Sequence, residues 1–354
     1  MKRRTLLKAA AIPALLAAGG TAWSMRARGR NDYYSGPVSD HFDGVRFFNP
    51  GNPPDRPAWV TFRAVVLTPK AEWPELYSSP FRDVPPASVT GAGLRVTLIG
   101  HASFLIQTAG MNMLVDPVFS DRASPFDVVG PTRHNPPGIL FDDLPKIHAV
   151  LVTHNHYDHM DTNTLSRLAK RDNPRVITPL GNDTIMRTHD PAISAEAYDW
   201  GDRVEIAPRL AVTLVPTAHW SARWLGDRRK ALWASFVFET PAGKVYHVGD
   251  TAFADDQNFS RHGREHGPFR LAILPVGAYE PRWFMKHVHM NPDEAVRAFL
   301  ALGAQQAIGH HWGTFQLTAE AVDAPEQALA EARTLHGVED ERFTAFRPGQ
   351  VLKI

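Results

Sequence analysis

No cysteine occurs in the 354 residues. Disulfides, thiolate metal ligands and a cysteine nucleophile are therefore excluded, and any metal must be held by histidine and carboxylate side chains. Excess charge is absent too: 38 Lys and Arg stand against 37 Asp and Glu, a net +1. That gives no basic footprint, so a nucleic-acid partner is not expected. The apolar run at residues 9–18 is too short, and too broken by Lys8, Pro13, Gly19 and Gly20, to serve as a membrane span. Two residue types are plentiful. The 29 prolines point to long ordered loops, and the 9 tryptophans to an aromatic-lined surface or cleft. A hydrophobic content of 44% with 21% charged residues is that of a globular protein of one large domain or two.

Residues 1–25 read as a twin-arginine-type export signal or N-terminal anchor: Arg3-Arg4, a leucine pair, Lys8 and a mild apolar run. That reading puts the protein in the periplasm, or on the periplasmic face of the inner membrane. The alternative is a basic N-terminal helix on a cytoplasmic protein. Residues 26–90 read as a proline-rich extension packing on the main domain, residues 91–354. Within the extension Trp59, Phe62, Val66 and Trp73 recur at roughly helical spacing. This predicts a helix against the main body, with a membrane-contact face as the sharper alternative.

The chain turns on Thr153-His154-Asn155-His156-Tyr157-Asp158-His159. It follows an apolar run at 147–152, read as a buried strand. It precedes Asp161-Thr162-Asn163-Thr164-Leu165, a helix start with N-cap chemistry. Alternation just beyond the strand puts His154 and His156 on one side, while Asp158 and His159 enter the turn and face a second centre. Neutral imidazole and carboxylate are donors suited to zinc and similar divalent metals. A single loop histidine is usually a solvated polar group; three histidines and an aspartate in H-x-H-x-D-H order read as metal ligands.

Further strands are predicted at 94–99, 103–108, 111–115, 175–179, 210–216, 271–277 and 306–309, with a hairpin of 233–239 and 244–248 and closing strands within 343–354. Asn291 as N-cap, Pro292 in the first helical position and Glu294 for a capping box predict a helix to Leu302, stopped by Gly303. A last helix spans 324–335. Four apolar strands end in a ligand-type residue: His154, His219, Asp250, and His310 or His311. Carboxyl ends of strands are where α/β layouts gather a site. His101, also near a strand end, either reaches that site or packs behind it.

These residues resemble the metallo-β-lactamase superfamily over roughly residues 94–354. Asn155-His156-Tyr157-Asp158-His159, Gly249-Asp250-Thr251, Gly277-Ala278-Tyr279-Glu280-Pro281-Arg282-Trp283-Phe284-Met285 and His311-Trp312-Gly313-Thr314-Phe315 are similar to the N-acylphosphatidylethanolamine-hydrolysing phospholipase D group and its bacterial relatives. Asp43-Gly44-x-x-Phe47-x-Asn49-Pro50 extends the likeness into the N-terminal segment. The resemblance implies an α/β fold, a four-layer αββα sandwich with a dinuclear zinc site at one edge. It assigns His154, His156 and His219 to one metal, Asp158, His159 and His311 to the other, and Asp250 to both. His311 is preferred to His310 because it directly precedes Trp-Gly-Thr-Phe. His289 matches a family histidine that assists catalysis. Two Zn2+ are expected, with Mn or Fe as alternatives.

Two divalent metals, two carboxylates and a bridging hydroxide leave about one positive charge, which suits an anionic substrate. The expected function is a phosphodiesterase of phospholipase D type acting on N-acylphosphatidylethanolamine-like lipids through that hydroxide. Asp158 would orient the nucleophile, and His289 would stabilise phosphoryl oxygens or protonate the leaving alcohol. Tyr157, Trp220 and Arg282 are candidate substrate contacts. Arg223, Arg282 and Lys286 read first as solvated charge, with phosphate binding as the alternative. Trp220, Trp224, Trp283 and Trp312 divide between core and cleft wall. The expected partner is an anionic small molecule or a phospholipid, with peripheral membrane contact as an option. The ligand set alone also suits a lactonase or other acyl hydrolase, or a non-catalytic metal- or lipid-binding scaffold.

Overall fold

Side-chain alternation decides the layers. Along Ser103–Thr108, Phe104 and Ile106 join one apolar cluster and Leu105 another, and all three are buried, so the strand is covered on both faces. Along Phe269–Pro275, Leu271 and Ile273 join the cluster of Phe104, while Ala272 and Leu274 pack on the far side.

The computed structural model describes residues 29–51, 57–126, 128–224 and 226–354. Its strands form two mixed seven-stranded sheets. The first holds β1 (Leu94–Gly100), β2 (Ser103–Thr108), β3 (Met111–Val115), β4 (Ala149–Leu151), β5 (Arg175–Pro179), β6 (Ala195–Tyr198) and β14 (Val351–Lys353), in the order β14-β1-β2-β3-β4-β5-β6. The second holds β7 (Arg203–Ala207), β8 (Leu210–Val215), β9 (Ser235–Thr240), β10 (Gly243–His247), β11 (Phe269–Pro275), β12 (Gln306–His310) and β13 (Phe343–Ala345), in the order β13-β12-β11-β10-β9-β8-β7. Their inner faces share one core, with Val96, Phe104 and Ile106 meeting Leu214, Phe236 and Ile273.

Helices cover the outer faces. Leu165 and Leu168 of α2 (Thr162–Asp172) and Met186 of α3 (Asn182–His189) pack on the first sheet. Phe259 of α4 (Gln257–His266), Phe299 of α6 (Pro292–Leu302) and Leu329 of α7 (Ala324–His336) pack on the second. The arrangement is helix, sheet, sheet, helix: the αββα sandwich. Strands β3, β4 and β5 are parallel, as are β10, β11 and β12, so each group delivers its carboxyl ends to one edge.

Local chemistry sets the helix ends that matter for the site. Asp161 caps α2 by accepting the backbone N–H of Asn163 and Thr164, both at 3.1 Å. The capping box at Asn291 and Glu294 is formed, with Gly303 in the left-handed conformation at the far end.

Residues 29–51 pack on the edge that carries the ligands. Phe42 and Phe47 are buried against Leu232 and Trp233, and Asn49 donates to the carbonyl of Thr217 at 2.6 Å. Residues 68–90 are tied down by the Trp73 indole donating to the Glu320 carbonyl and by a buried Asp83–Arg95 ion pair. A short helix α1 (Ala58–Val66) forms in the extension, but not as its spacing predicts. Trp59 is 65% exposed, Ala64 is buried instead, and Trp73 lies beyond the helix. The side chains of Phe62 and Val66 lie outside the described residues, as does the whole export-type stretch 1–25. Among the described residues no helix is long and apolar enough to cross a membrane.

Candidate metal centre

The loop after β4 and the loop after β8 face each other across the sheet edge. His154 Nε2 lies 2.9 Å from His156 Nδ1, which lies 3.3 Å from His219 Nε2. His219 gives its Nδ1 hydrogen to the carbonyl of Val288 at 2.9 Å, so its Nε2 presents a lone pair. A proton on one nitrogen can bridge only one of these pairs, whereas a cation satisfies all three nitrogens. Asp250, after β10, completes the group, with Oδ2 3.6 Å from His219 Nε2 and 3.8 Å from His154 Nε2.

The same carboxylate reaches a second group. Asp250 Oδ2 is 3.2 Å from His159 Nε2, and its Oδ1 is 3.1 Å from His311 Nε2. Asp158 Oδ2 lies 3.3 Å from His311 Nε2 and 3.5 Å from His159 Nε2. Both imidazole nitrogens are buried without a hydrogen bond of good geometry, as is Asp250 Oδ1. Buried polar atoms left in this way fit a bound metal. The structure thus gathers His154, His156, Asp158, His159, His219, Asp250 and His311 at one edge, although they come from four separate loops. Of the adjacent pair, His310 turns away, packing against Phe104 and His247. His289 stands beside both groups, with Nε2 3.9 Å from Asp250 Oδ2 and its buried Nδ1 without a partner.

The charges agree with a site built for cations. Burial alone would lower His159, but Asp250, Asp158 and Asp116 outweigh it and hold its pKa well above the usual histidine value. His311 is likewise lifted to about 9, Asp250 and Asp158 overcoming burial. Burial pushes both of those carboxyls up, yet the neighbouring histidines hold them well below the usual range. Without metal, then, two protonated imidazoles sit between two carboxylates. Divalent metals can take the place of those protons, and the donor set is the one zinc, manganese or iron accept. His154 and His219 are held neutral by burial, and His156 is lowered to about 4 by the same cause, so their lone pairs are available at pH 7.

One supporting residue goes unassigned in the sequence. Asp116 ends β3 and accepts from Thr153 N at 2.7 Å, Thr153 Oγ1 at 2.6 Å and His159 Nδ1 at 2.7 Å, which fixes the ligating tautomer of His159. The signal was present: it is an aspartate at the carboxyl end of a strand, as Asp250 is. His101 reaches the centre, its Nε2 2.9 Å from Asp158 Oδ2.

The candidate substrate contacts divide. The Trp220 ring lies 4.5 Å from His156 and lines a cleft of about 830 Å³ that opens onto the metal centre. Tyr157 lines the same cleft, but its hydroxyl donates to the Arg223 carbonyl at 2.8 Å. Arg282 does not line it: the guanidinium donates to the carbonyl of His289 at 3.0 Å and to Glu294 at 2.8 Å, holding the histidine loop in place. Trp312 is buried in the core, Trp224 and Trp283 are exposed, and Lys286 is exposed at the end of α5 (Arg282–Met285). Arg223 is not solvated charge; it is half-buried against the ligand loop, donating to the carbonyls of Asn155 and Met160.

Comparison with known proteins agrees with this fold. A family model described as the beta-lactamase superfamily domain matches residues 111–312. An uncharacterized protein of Mycobacterium tuberculosis is 39% identical over 248 residues, 69% of this chain. The match spans 65% of that protein's length. A protein of Caenorhabditis elegans named N-acyl-phosphatidylethanolamine-hydrolyzing phospholipase D 1 is 36% identical over 265 residues, 72% of this chain and 73% of that one. Among solved structures, an isothiocyanate hydrolase from Delia radicum gut bacteria superposes with a TM-score of 0.59 at 19% identity, over 73% of this chain and 98% of that one. It shares the fold.

Proposed function

The chain belongs to the beta-lactamase superfamily of metal-dependent hydrolases, and from that premise we propose that it is a phosphodiesterase of phospholipase D type acting on N-acylated phosphatidylethanolamines. The observation that carries this reading is the continuity of the cleft. Its lining joins His156, Asp158, His219, Asp250 and His289 to the apolar Ala64, Trp220, Phe284, Met285, Val288 and Leu317, with Lys70, Arg228, Arg229 and Glu280 among the remaining residues. A cation-binding group joined to apolar side chains suits an anionic diester that carries acyl chains. The name of the similar nematode protein supports the same substrate class.

Divalent metals at this site would lower the pKa of water to about 7 and neutralise phosphoryl charge. The side chains do the remaining work. Asp158, which lines the cleft, orients the attacking water. The water oxygen bonds to phosphorus, the bond from phosphorus to the ethanolamine oxygen breaks, and a proton given up by the attacking water ends on that leaving oxygen, so that phosphatidate and an N-acylethanolamine result. Burial lowers His289 to about 4, so at pH 7 it is neutral. It therefore steadies a phosphoryl oxygen through its N–H and is a poor source of a proton.

A lipid substrate must be drawn from a bilayer, and residues 123–126 and 128–129 are suited to that contact. Ala123 lines the cleft, while Phe126, Val128 and Val129 are 52%, 81% and 63% exposed; Trp224, 52% exposed, sits edge-on to Phe126. Exposed aromatic and aliphatic side chains of this kind bury in the headgroup region. The test is a substrate panel on metal-replete protein, comparing N-acylphosphatidylethanolamine in anionic vesicles, a soluble short-chain phosphodiester and an acyl lactone. Both phosphodiesters should be cleaved, and the lactone much more slowly. The double variant Phe126→Ser, Val129→Ser should lose turnover on vesicles and keep it on the soluble diester. A lactone opened faster than either diester overturns the reading in favour of an acyl hydrolase.

A further inference from the structure

Arg223 joins two halves of the metal centre that come from different sheets. Its Nη1 donates to the carbonyl of Asn155 at 3.0 Å and to that of Met160 at 2.7 Å. Those two carbonyls bracket His156, Tyr157, Asp158 and His159. The guanidinium lies 4.0 Å over the Tyr157 ring, and the Tyr157 hydroxyl donates back to the Arg223 carbonyl at 2.8 Å. Arg223 itself belongs to the loop after β8, four residues beyond His219. Asp227 holds that loop by accepting the backbone N–H of Arg223 at 3.1 Å and of Trp224 at 2.9 Å. The hydroxyl of Tyr33, from the N-terminal segment, donates to Asp227 at 3.1 Å.

Besides Arg223, Ala234 N ties the ligand loop after β4 across this gap by donating to the Thr153 carbonyl at 3.0 Å. A flexible loop in its place would leave the spacing between His156 and His219 unset, at a cost in ordering each time a metal binds. We infer that Arg223 is a positioning residue that locks the loop of His154–His159 to the loop of His219, and thereby sets metal affinity. The inference rests on the metal-centre reading and is independent of the substrate. Both carbonyls are met by one guanidinium nitrogen while the planar group lies over the Tyr157 ring; lysine, a compact point charge on a flexible stem, keeps a donor but loses the stacked plane that aims it.

The experiment is zinc binding to the full chain in competition with a chromophoric chelator, for wild type, Arg223→Gln and Arg223→Lys, with circular dichroism as the check on folding. Arg223→Gln should weaken zinc binding roughly 10–100-fold, the range for lost outer contacts to ligands, and Arg223→Lys should fall between it and wild type. On the soluble phosphodiester kcat should fall while KM stays within about threefold, because substrate binding is untouched. Wild-type zinc affinity in a folded variant overturns the inference. So does a raised KM with unchanged zinc affinity, which would make Arg223 a phosphate ligand. If Arg223→Gln does not fold, the same comparison on Arg223→Lys decides. Zinc binding is read without turnover, so an error in the assigned substrate cannot imitate either result.

Discussion

Asp250→Asn lowers kcat on the phosphodiester by at least about 10³-fold, a loss of roughly 4 kcal/mol of transition-state stabilisation. The expectation follows from where the carboxylate sits. Its two oxygens face imidazole nitrogens of both groups, at 3.1 Å from His311 and 3.2 Å from His159, and at 3.6 Å from His219. Asparagine keeps the shape but offers one uncharged oxygen, and its amide N–H groups point donors at nitrogens that must present lone pairs. Both metal groups lose a shared anionic ligand in one substitution. His156→Ala, which removes a ligand from one group, should be as inactive, because the cluster works as a unit. Steady-state kinetics with metal analysis checks both variants. Full activity in either would remove that residue from the site.

Acid should unfold the metal-free protein steeply. Burial lowers His101 and His262 to about 3, and His156, His247 and His289 to about 4, against an ordinary value of 6.5. Between pH 4 and 6.5 the unfolded chain therefore binds more protons than the folded one, so stability rises with pH across that window and is lost as pH falls through it. Each such histidine adds up to about 1.4 kcal/mol per pH unit there. His311, raised to about 9, acts in the opposite direction: its contribution is full below 6.5 and is lost as pH rises towards 9. The metal-free protein should thus be most stable near pH 6.5. In the zinc-loaded protein the alkaline limb should vanish, because His311 no longer holds a proton to lose. Urea midpoints across pH, with and without chelator, read both limbs. A midpoint flat from pH 6.5 to 4.5 would contradict the account.

Much of the site is legible because it is written in local chemistry. The capping box at Asn291, the N-cap at Asp161 and the strand-end positions of His154, His219, Asp250 and His311 each need only neighbours in sequence. What escapes the sequence depends on packing. Helix α4 carries a polar sequence with Phe259 and His262 as its buried residues, so no apolar stripe announces it. Trp59 satisfies the spacing of a packed helix, yet the smaller Ala64 faces inward while the indole lies in solvent. Arg223 looks like surface charge until the fold brings it to carbonyls 63 and 68 residues away. Arg282 looks like a phosphate ligand until Glu294 and the His289 carbonyl are seen to engage it.

The most direct test is to strip the full chain with chelator, add zinc in steps, and follow phosphatidate released from N-acylphosphatidylethanolamine. The account predicts no product from the stripped protein and full recovery at about two equivalents of zinc. Undiminished turnover after chelation, or saturation of zinc binding below one equivalent, would contradict it.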